Sequence, residues 1–167
     1  MGQGVLTSLA MVLADEMDAD WSRVSTEHPP LDAIYNNLST LVDGLPFHPD
    51  DRGLLKDGVE RLTAKVAREF GLQMTGGSSS VKDLWMPMRE AGAAARALLL
   101  GAAARRWKVE MESCTVRKGE IHHAATGRRA RFGELAADAA ALPLPSDLKL
   151  KTHDQFQLIG RDPHRLD

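Results

Sequence analysis

Two glycine-rich turns contain the residues of this chain best suited to binding chemistry. The first turn comprises residues 2–4 (Gly-Gln-Gly) and the second residues 75–80 (Thr-Gly-Gly-Ser-Ser-Ser), and each leads into a segment with helical spacing of apolar residues. A helix start presents unpaired N–H groups and the positive end of the helix dipole, and glycine lets an anion approach closely. The pair predicts one extended, phosphate-bearing ligand held at two points. The alternative is that both turns are ordinary helix caps.

Gln3 is the most specific residue of the two turns. Its amide offers two donors and an acceptor, which suits the edge of a heterocycle. The alternative is an exposed amide in a terminal turn. On spacing alone, the turns therefore indicate a phosphate- or nucleotide-binding protein, without naming the ligand.

Residue patterns typical of catalysis or metal binding do not occur in the sequence. His122 and His123 are adjacent in a predicted strand, so their side chains point to opposite faces and cannot chelate one ion. The carboxylate pairs at 15–16 and 50–51 are interpreted as solvated faces or caps. The serines at 78–80 have no histidine base nearby in sequence. We therefore predict no catalytic residue and no metal ligand in this chain.

Composition limits the class of protein. The chain has 167 residues, 43% of them hydrophobic and 26% charged, which is typical of one globular domain. A net charge of −2, with basic and acidic residues well mixed, argues against nucleic-acid binding. The lone Cys114 excludes an internal disulfide and an iron–sulfur cluster held by this chain alone, and buried packing is favoured over a reactive thiol. No apolar run reaches the roughly 18 residues of a membrane span.

Apolar periodicity predicts four helices, over residues 5–18, 52–70, 80–106 and 132–142. The acidic end of the helix at 5–18 is expected to face solvent. The helix at 52–70 carries an apolar stripe and is expected to be capped by Gly71. Ser80 and Asp83 resemble a capping box at the start of the third helix. That helix contains Pro87, which either kinks it or opens its main part, and its small residues at 91–104 predict a central, buried helix.

Short strands are predicted at 21–27, 108–109, 114–116 and 121–124, with a hairpin turn at 118–120 and a second turn at 126–128. The expected fold class is α+β, with helices packed on a small antiparallel or mixed sheet. The predicted domains are residues 1–142 and residues 143–167, the second an extended tail. The tail is expected to lie on a neighbouring domain rather than to close this one.

Several motifs resemble the molybdopterin-binding large subunit of the xanthine dehydrogenase/aldehyde oxidase family, in particular isoquinoline 1-oxidoreductase beta subunits. They are the first turn with Val5 and Thr7, the second turn with Val81, and the Ala-Gly-Ala-Ala-Ala-Arg run at 91–96. Further matches follow in the same order along the chain: Asp18-Ala19-Asp20-Trp21, Trp107-x-Val109, Cys114, Gly127-Arg128, Phe132-Gly133-Glu134-Leu135 and Phe156-x-Leu158-Ile159-Gly160. The resemblance spans the whole chain.

The resemblance implies that residues 1–142 form a partial molybdopterin-binding domain and that these turns hold a molybdopterin cofactor, in bacteria commonly its cytosine dinucleotide form. The implied cofactor-binding residues are Gly2, Gln3, Gly4, Thr75, Gly77, Ser78, Ser79 and Ser80. The family hydroxylates aldehydes and N-heterocycles at a molybdenum-bound hydroxide, with a glutamate near the end of the subunit as base. Electrons leave through [2Fe–2S] clusters on a partner subunit, so the implied partners are that subunit and the remainder of the large subunit.

The chain also departs from the family. The family subunit is several times longer, its substrate-side loops precede the first turn and its catalytic glutamate lies beyond Asp167, and residues 38–73 have no assigned role. We therefore expect part of a molybdenum hydroxylase, inactive alone, cytoplasmic by default and periplasmic if the complete subunit is exported. Two alternatives stay open: a free-standing phosphate- or nucleotide-binding module without redox activity, and an inactive structural remnant.

Overall fold

The computed structural model describes residues 4–30, 32, 35–48, 50–71, 73–74, 76 and 78–166. The chain divides into two compact units, one formed by residues 1–26 and 86–167 and the other by residues 27–85. Within the described residues, five α-helices and a three-stranded antiparallel sheet give the α+β class that the sequence predicted. No helix among the described residues is both long enough and apolar enough to cross a membrane.

The first unit is organised around two helices, α1 (Val5–Met17) and the main part of α4 (Ser79–Trp107). A Cβ added at Gly92 of α4 would lie 2.7 Å from both Leu13 O and Glu16 Cβ of α1, so the backbone of α4 packs directly against backbone and side-chain atoms of α1. Ala93, Ala102 and Ala103 are buried. The predicted central helix of small residues is therefore confirmed, and Pro87 lies inside one continuous helix.

The sheet follows α4 and contains β1 (Cys114–Arg117), β2 (Glu120–His123) and β3 (Arg128–Arg131), in that order. The turn between β1 and β2 uses Lys118 at φ 48° and Gly119 at φ 73°, as a two-residue turn with positive φ at both positions requires. Helix α5 (Phe132–Ala140) comes directly after β3. The core between sheet and helices contains Ile121 and Leu135, both fully buried.

Two predicted strands are wrong, and local capping explains both. Residues 21–27 form no strand; Asp20 accepts hydrogen bonds from the backbone N and Oγ of Ser22, which winds Trp21–Arg23 into a 3-10 turn. Lys108 takes a left-handed conformation at φ 56°, and Val109 N donates to Ala104 O, which ends α4 in a Schellman-type cap. The sequence also missed β3, where three arginines surround one buried alanine.

The acidic end of α1 is buried, which contradicts the prediction of a solvent-facing end. Asp15 is 1% exposed and Glu16 is fully buried. Glu16 accepts hydrogen bonds from Arg89 Nε at 2.7 Å and from the backbone N of Lys151 at 3.1 Å. The tail therefore contacts α1 of its own chain, contrary to the expectation that it serves only a neighbouring domain; the boundary between 1–142 and 143–167 stays a prediction.

The second unit contains α2 (Ser39–Val42), α3 (Leu54–Phe70) and the start of α4. Helix α3 begins two residues after the predicted start and ends at the predicted residue, and Gly71 follows it at φ 59°. It contacts α2 and buries Ala67, whereas four large apolar side chains of the predicted stripe are exposed: Leu54, Leu55, Leu62 and Val66. The amphipathic pattern therefore located the helix, but these four side chains do not enter the core.

Candidate cofactor-binding turns

The first turn leads into α1 through a left-handed residue. Gly2 and Gln3 lie outside the described residues, whereas Gly4 adopts φ 68° and ψ 13°. The carbonyl of Gly4 accepts hydrogen bonds from Ser8 N at 2.9 Å and Ser8 Oγ at 2.8 Å. A Cβ added at Gly4 would meet nothing within 4 Å, and the first turn of α1 holds no acidic residue. The N-terminal N–H groups of α1 thus keep a local positive potential without a neighbouring carboxylate on the same turn.

The second turn also enters its helix, α4, through a left-handed residue. Thr75 and Gly77 lie outside the described residues, but Ser78 is exposed and adopts φ 58°, a conformation uncommon for residues other than glycine. Helix α4 begins at the next residue, where Ser79 N donates to Gly76 O at 3.0 Å. A left-handed residue at a helix start turns successive N–H groups toward a common point, the arrangement that binds anions in backbone nests.

The hydroxyl of Ser79 is used inside the protein. Ser79 is 2% exposed, and its Oγ donates to Gly76 O at 2.6 Å. The same oxygen accepts from Asn37 Nδ2 at 2.8 Å and lies 2.8 Å from Thr40 Oγ1. Ser80 is also buried, at 8% exposure. Among the three described serines of the turn, only Ser78 is exposed to an incoming ligand; the ligand-binding roles of all three remain predictions.

Asn37 also contacts these serines, although no residue pattern in the sequence singled it out. It is 7% exposed, and its Nδ2 also donates to Met74 O at 3.1 Å. Its Oδ1 is buried and, among the residues that the structure describes, accepts no hydrogen bond. No spacing signal in the sequence connects residue 37 with residues 79 and 80, because the contact depends on the fold.

Charged side chains near the second turn are paired. Lys82 Nζ lies 2.6 Å from Asp43 Oδ1, and Asp83 accepts hydrogen bonds from the backbone N and the Oγ of Ser39 at 3.2 and 2.8 Å. The predicted capping box between Ser80 and Asp83 is therefore wrong, because Asp83 caps α2 instead of α4. These pairs leave the backbone N–H groups and the Ser78 hydroxyl as the donors suited to an anion.

The two turns belong to different units. Gly4 is part of the first unit, whereas Ser78, Ser79 and Ser80 are part of the second. The binding of one ligand at both turns therefore stays a prediction.

His122, His123 and Cys114 lie in the sheet and contact neighbouring residues of their own unit. His122 and His123 lie on opposite faces of β2, where His122 Nε2 is 3.6 Å from Glu120 Oε2 and His123 Nδ1 is 2.7 Å from Thr126 Oγ1. Burial raises the pKa of the Cys114 thiol. In the described ranges, no three His, Cys, Asp or Glu side chains cluster in a way that could hold a metal ion.

Two curated proteins are similar to this chain over nearly its whole length. This chain is 26% identical over 201 aligned residues to isoquinoline 1-oxidoreductase subunit beta of Brevundimonas diminuta. The alignment covers 100% of this chain and 22% of that protein. The chain is 31% identical over 165 residues to the membrane-bound aldehyde dehydrogenase [pyrroloquinoline-quinone] of Gluconacetobacter polyoxogenes, covering 96% of this chain and 17% of that protein. No protein-family model matches the chain.

The chain thus spans about a fifth of the length of the curated relatives that it matches. Both relatives are oxidoreductases by name, and the first is the subunit type that the sequence motifs indicated. The predicted resemblance is therefore confirmed: this chain is similar to a segment of the isoquinoline 1-oxidoreductase beta subunit.

Proposed function

We propose that this chain supplies molybdopterin dinucleotide-binding turns to the large subunit of a molybdenum hydroxylase that oxidises aldehydes or N-heterocycles. One observation carries the proposal: both predicted turns enter a helix through a left-handed residue, Gly4 at φ 68° and Ser78 at φ 58°. Two such helix starts suit the phosphates of an extended ligand. The similarity to a subunit of isoquinoline 1-oxidoreductase and to an aldehyde dehydrogenase supports the reaction class.

The donor set of the described residues fits such a cofactor. The backbone N–H groups at the start of α4 and the exposed Ser78 hydroxyl match phosphate oxygens, which accept hydrogen bonds only.

The residues that we propose to hold the cofactor are Gly2, Gln3, Gly4, Thr75, Gly77, Ser78, Ser79 and Ser80. When bound, the molybdenum centre would supply hydroxylation of an electrophilic carbon. This chain's part is to bind and orient the cofactor; Ser79 would act by fixing the turn, because its hydroxyl is used internally. The remainder of the large subunit and a [2Fe–2S] subunit would be its partners, and we expect no turnover by the chain alone.

The proposal can be tested first on the chain itself by calorimetric titration with cytidine 5′-diphosphate and inorganic pyrophosphate at low ionic strength. We expect binding of both, weakened about threefold to tenfold by Gln3→Ala or Ser78→Ala, because each removes about one hydrogen bond. Ser113→Ala is the matched control, since that exposed hydroxyl donates to a carbonyl of its own 3-10 turn, Glu110 O, and belongs to neither of the two turns. Absence of binding, or equal affinity in all variants, would contradict the proposal.

A second experiment identifies the cofactor, since the name of one relative carries pyrroloquinoline quinone. A complete large subunit containing this segment should purify with molybdenum, and Gln3→Ala should lower its molybdenum content. Titration of the molybdenum-free subunit with pyrroloquinoline quinone tests the alternative that the quinone is the cofactor. Tight quinone binding that Gln3→Ala weakens, with molybdenum content unchanged, would replace the molybdopterin assignment.

A further inference from the structure

The sheet of the first unit has one face against the core and one exposed face. Cys114, Ile121 and Ala130 are buried and belong to the core. The alternate positions of the same strands form two rows across the sheet, Thr115–His122–Arg129 and Arg117–Glu120–Arg131. The threonine and the three arginines are exposed, whereas the histidine and the glutamate are half-buried. We call the surface formed by these six residues the arginine face.

Positive charge is in excess on the arginine face. Three arginines stand beside one glutamate, which leaves two positive charges, although the whole chain has a net charge of −2. The glutamate is already engaged, because Glu120 Oε1 lies 3.2 Å from Arg131 Nε and Oε2 lies 3.6 Å from His122 Nε2. Arg117 and Arg129 form no ion pair with the residues that the structure describes. These two guanidinium groups are therefore available to a partner.

Arg117 and Arg129 lie on opposite edges of the sheet, because β1 and β3 are its outer strands. Neighbouring strands are about 4.8 Å apart and residues on one face repeat about every 6.8 Å, so their Cα atoms are about 12 Å apart. Glu120 and His122 lie between them in the register. A partner that contacts both arginines therefore needs two separate acceptors, since negative charge between them would face the Glu120 carboxylate.

The residue type indicates the chemistry of those acceptors. A guanidinium group binds a carboxylate through two parallel hydrogen bonds. Arginine is enriched at protein–protein interfaces, whereas lysine is depleted there. Edge strands commonly carry lysine, which discourages contact with other chains, but the exposed charged positions of β1 and β3 on this face are all arginine. The face therefore suits separate carboxylates on a protein.

We propose that the arginine face is a docking surface for an acidic segment of another protein, which presents one carboxylate to Arg117 and a second to Arg129. The inference goes beyond the proposed function, because none of the six residues belongs to either cofactor-binding turn. A nucleic acid fits less well, since its closely spaced phosphates would place negative charge over Glu120.

The experiment titrates the chain at low ionic strength with a short peptide of alternating glutamate and threonine, and with the same peptide carrying glutamine for glutamate. We expect only the glutamate peptide to bind. Arg117→Ala and Arg129→Ala should each weaken its affinity about threefold to fivefold. Arg61→Ala is the matched control, because it removes the same charge from an exposed position of the other unit and should change the affinity less than about twofold.

A double variant separates carboxylate recognition from general charge attraction. Arg117→Lys combined with Arg129→Lys keeps both charges but loses the two-bond geometry, and it should weaken binding about threefold or more. No binding of the glutamate peptide, unchanged affinity in the lysine variant, or an equal effect of Arg61→Ala would overturn the inference.

A single-stranded RNA oligonucleotide serves as the competing probe for the same surface. It should bind more weakly than the glutamate peptide, because its phosphates meet Glu120 as well as the arginines. Tighter RNA binding that Arg117→Ala and Arg129→Ala weaken would overturn the assignment to an acidic protein. The nucleotide and pyrophosphate titrations do not involve this face, so its failure would leave the proposed function standing.

Discussion

Lys151 Nζ lies 3.1 Å from Asp15 Oδ1 although the two residues are 136 positions apart in sequence. The same ammonium also donates to Asp18 Oδ1 at 2.6 Å. The Asp15 carboxylate further accepts the backbone N–H groups of Gln157, Leu158 and Ile159 at 2.9 to 3.2 Å. One buried carboxylate thus joins the end of α1 to a segment near the end of the chain.

Removing the charge of Asp15 should destabilise the first unit strongly. Asp15→Asn keeps the size of the side chain but leaves Lys151 with Asp18 as its remaining carboxylate. We expect a loss of about 3 kcal/mol in the free energy of unfolding, measured by urea titration. Asp138→Asn is the control, because its pair with Arg106 is solvent-accessible and should contribute no more than about 1 kcal/mol. Equal losses in the two variants would refute the central role of Asp15.

The stability supplied by Asp15 should disappear in acid. Burial by itself raises the pKa of this carboxyl, but the N–H groups of Ile159, Gln157 and Leu158 and the Lys151 ammonium outweigh burial, so the pKa lies below its ordinary value of 3.8. A depressed native pKa stabilises the fold above the unfolded pKa, and the effect is lost as pH falls through the native value. The difference in urea midpoint between wild type and Asp15→Asn should therefore shrink below pH about 4. A difference that stays constant into stronger acid would argue against this assignment.

Gly92 should tolerate no side chain. An alanine Cβ there would stand 2.7 Å from Leu13 O and Glu16 Cβ, so α1 and α4 would have to separate. We expect Gly92→Ala to cost about 1–3 kcal/mol, despite the better helix propensity of alanine. Gly133→Ala, also in a helix of the first unit but with nothing within 4 Å of its Cβ, should be neutral or slightly stabilising. The thermal midpoints of the two variants provide the comparison.

Cys114 should be chemically inert in the folded chain. The residue is 7% exposed, and burial raises the pKa of its thiol, so little reactive thiolate forms near neutral pH. Iodoacetamide should label the native protein at least about tenfold more slowly than the urea-unfolded protein, as mass spectrometry can show. Rapid labelling of the native chain would indicate an accessible thiol.

Sequence reasoning succeeded where local patterns determine structure. The apolar spacing located α1, α3 and α4, and the Lys118-Gly119 pair located the hairpin, because neighbouring residues decide these features. The α+β class followed from the order of those elements. The small residues around Gly92 also correctly indicated a closely packed helix.

Sequence reasoning failed where the surroundings of a residue depend on a partner that is distant in sequence. Asp15 and Glu16 look like a solvated helix end until Lys151 and Arg89 are brought to them by the fold. Asn37 is an ordinary turn residue in sequence, and its contact with Ser79 requires two segments 42 residues apart to meet. Local propensity contains no information about such pairs.

The dependence of α1 on the tail also has a consequence for synthesis. Glu16 receives one of its hydrogen bonds from the backbone of Lys151, 135 residues later. At about 5–20 residues per second, the ribosome needs roughly 7–27 s to add those residues. During that interval the carboxylates of α1 lack their tail partners, so the first unit completes its fold only after translation reaches the tail.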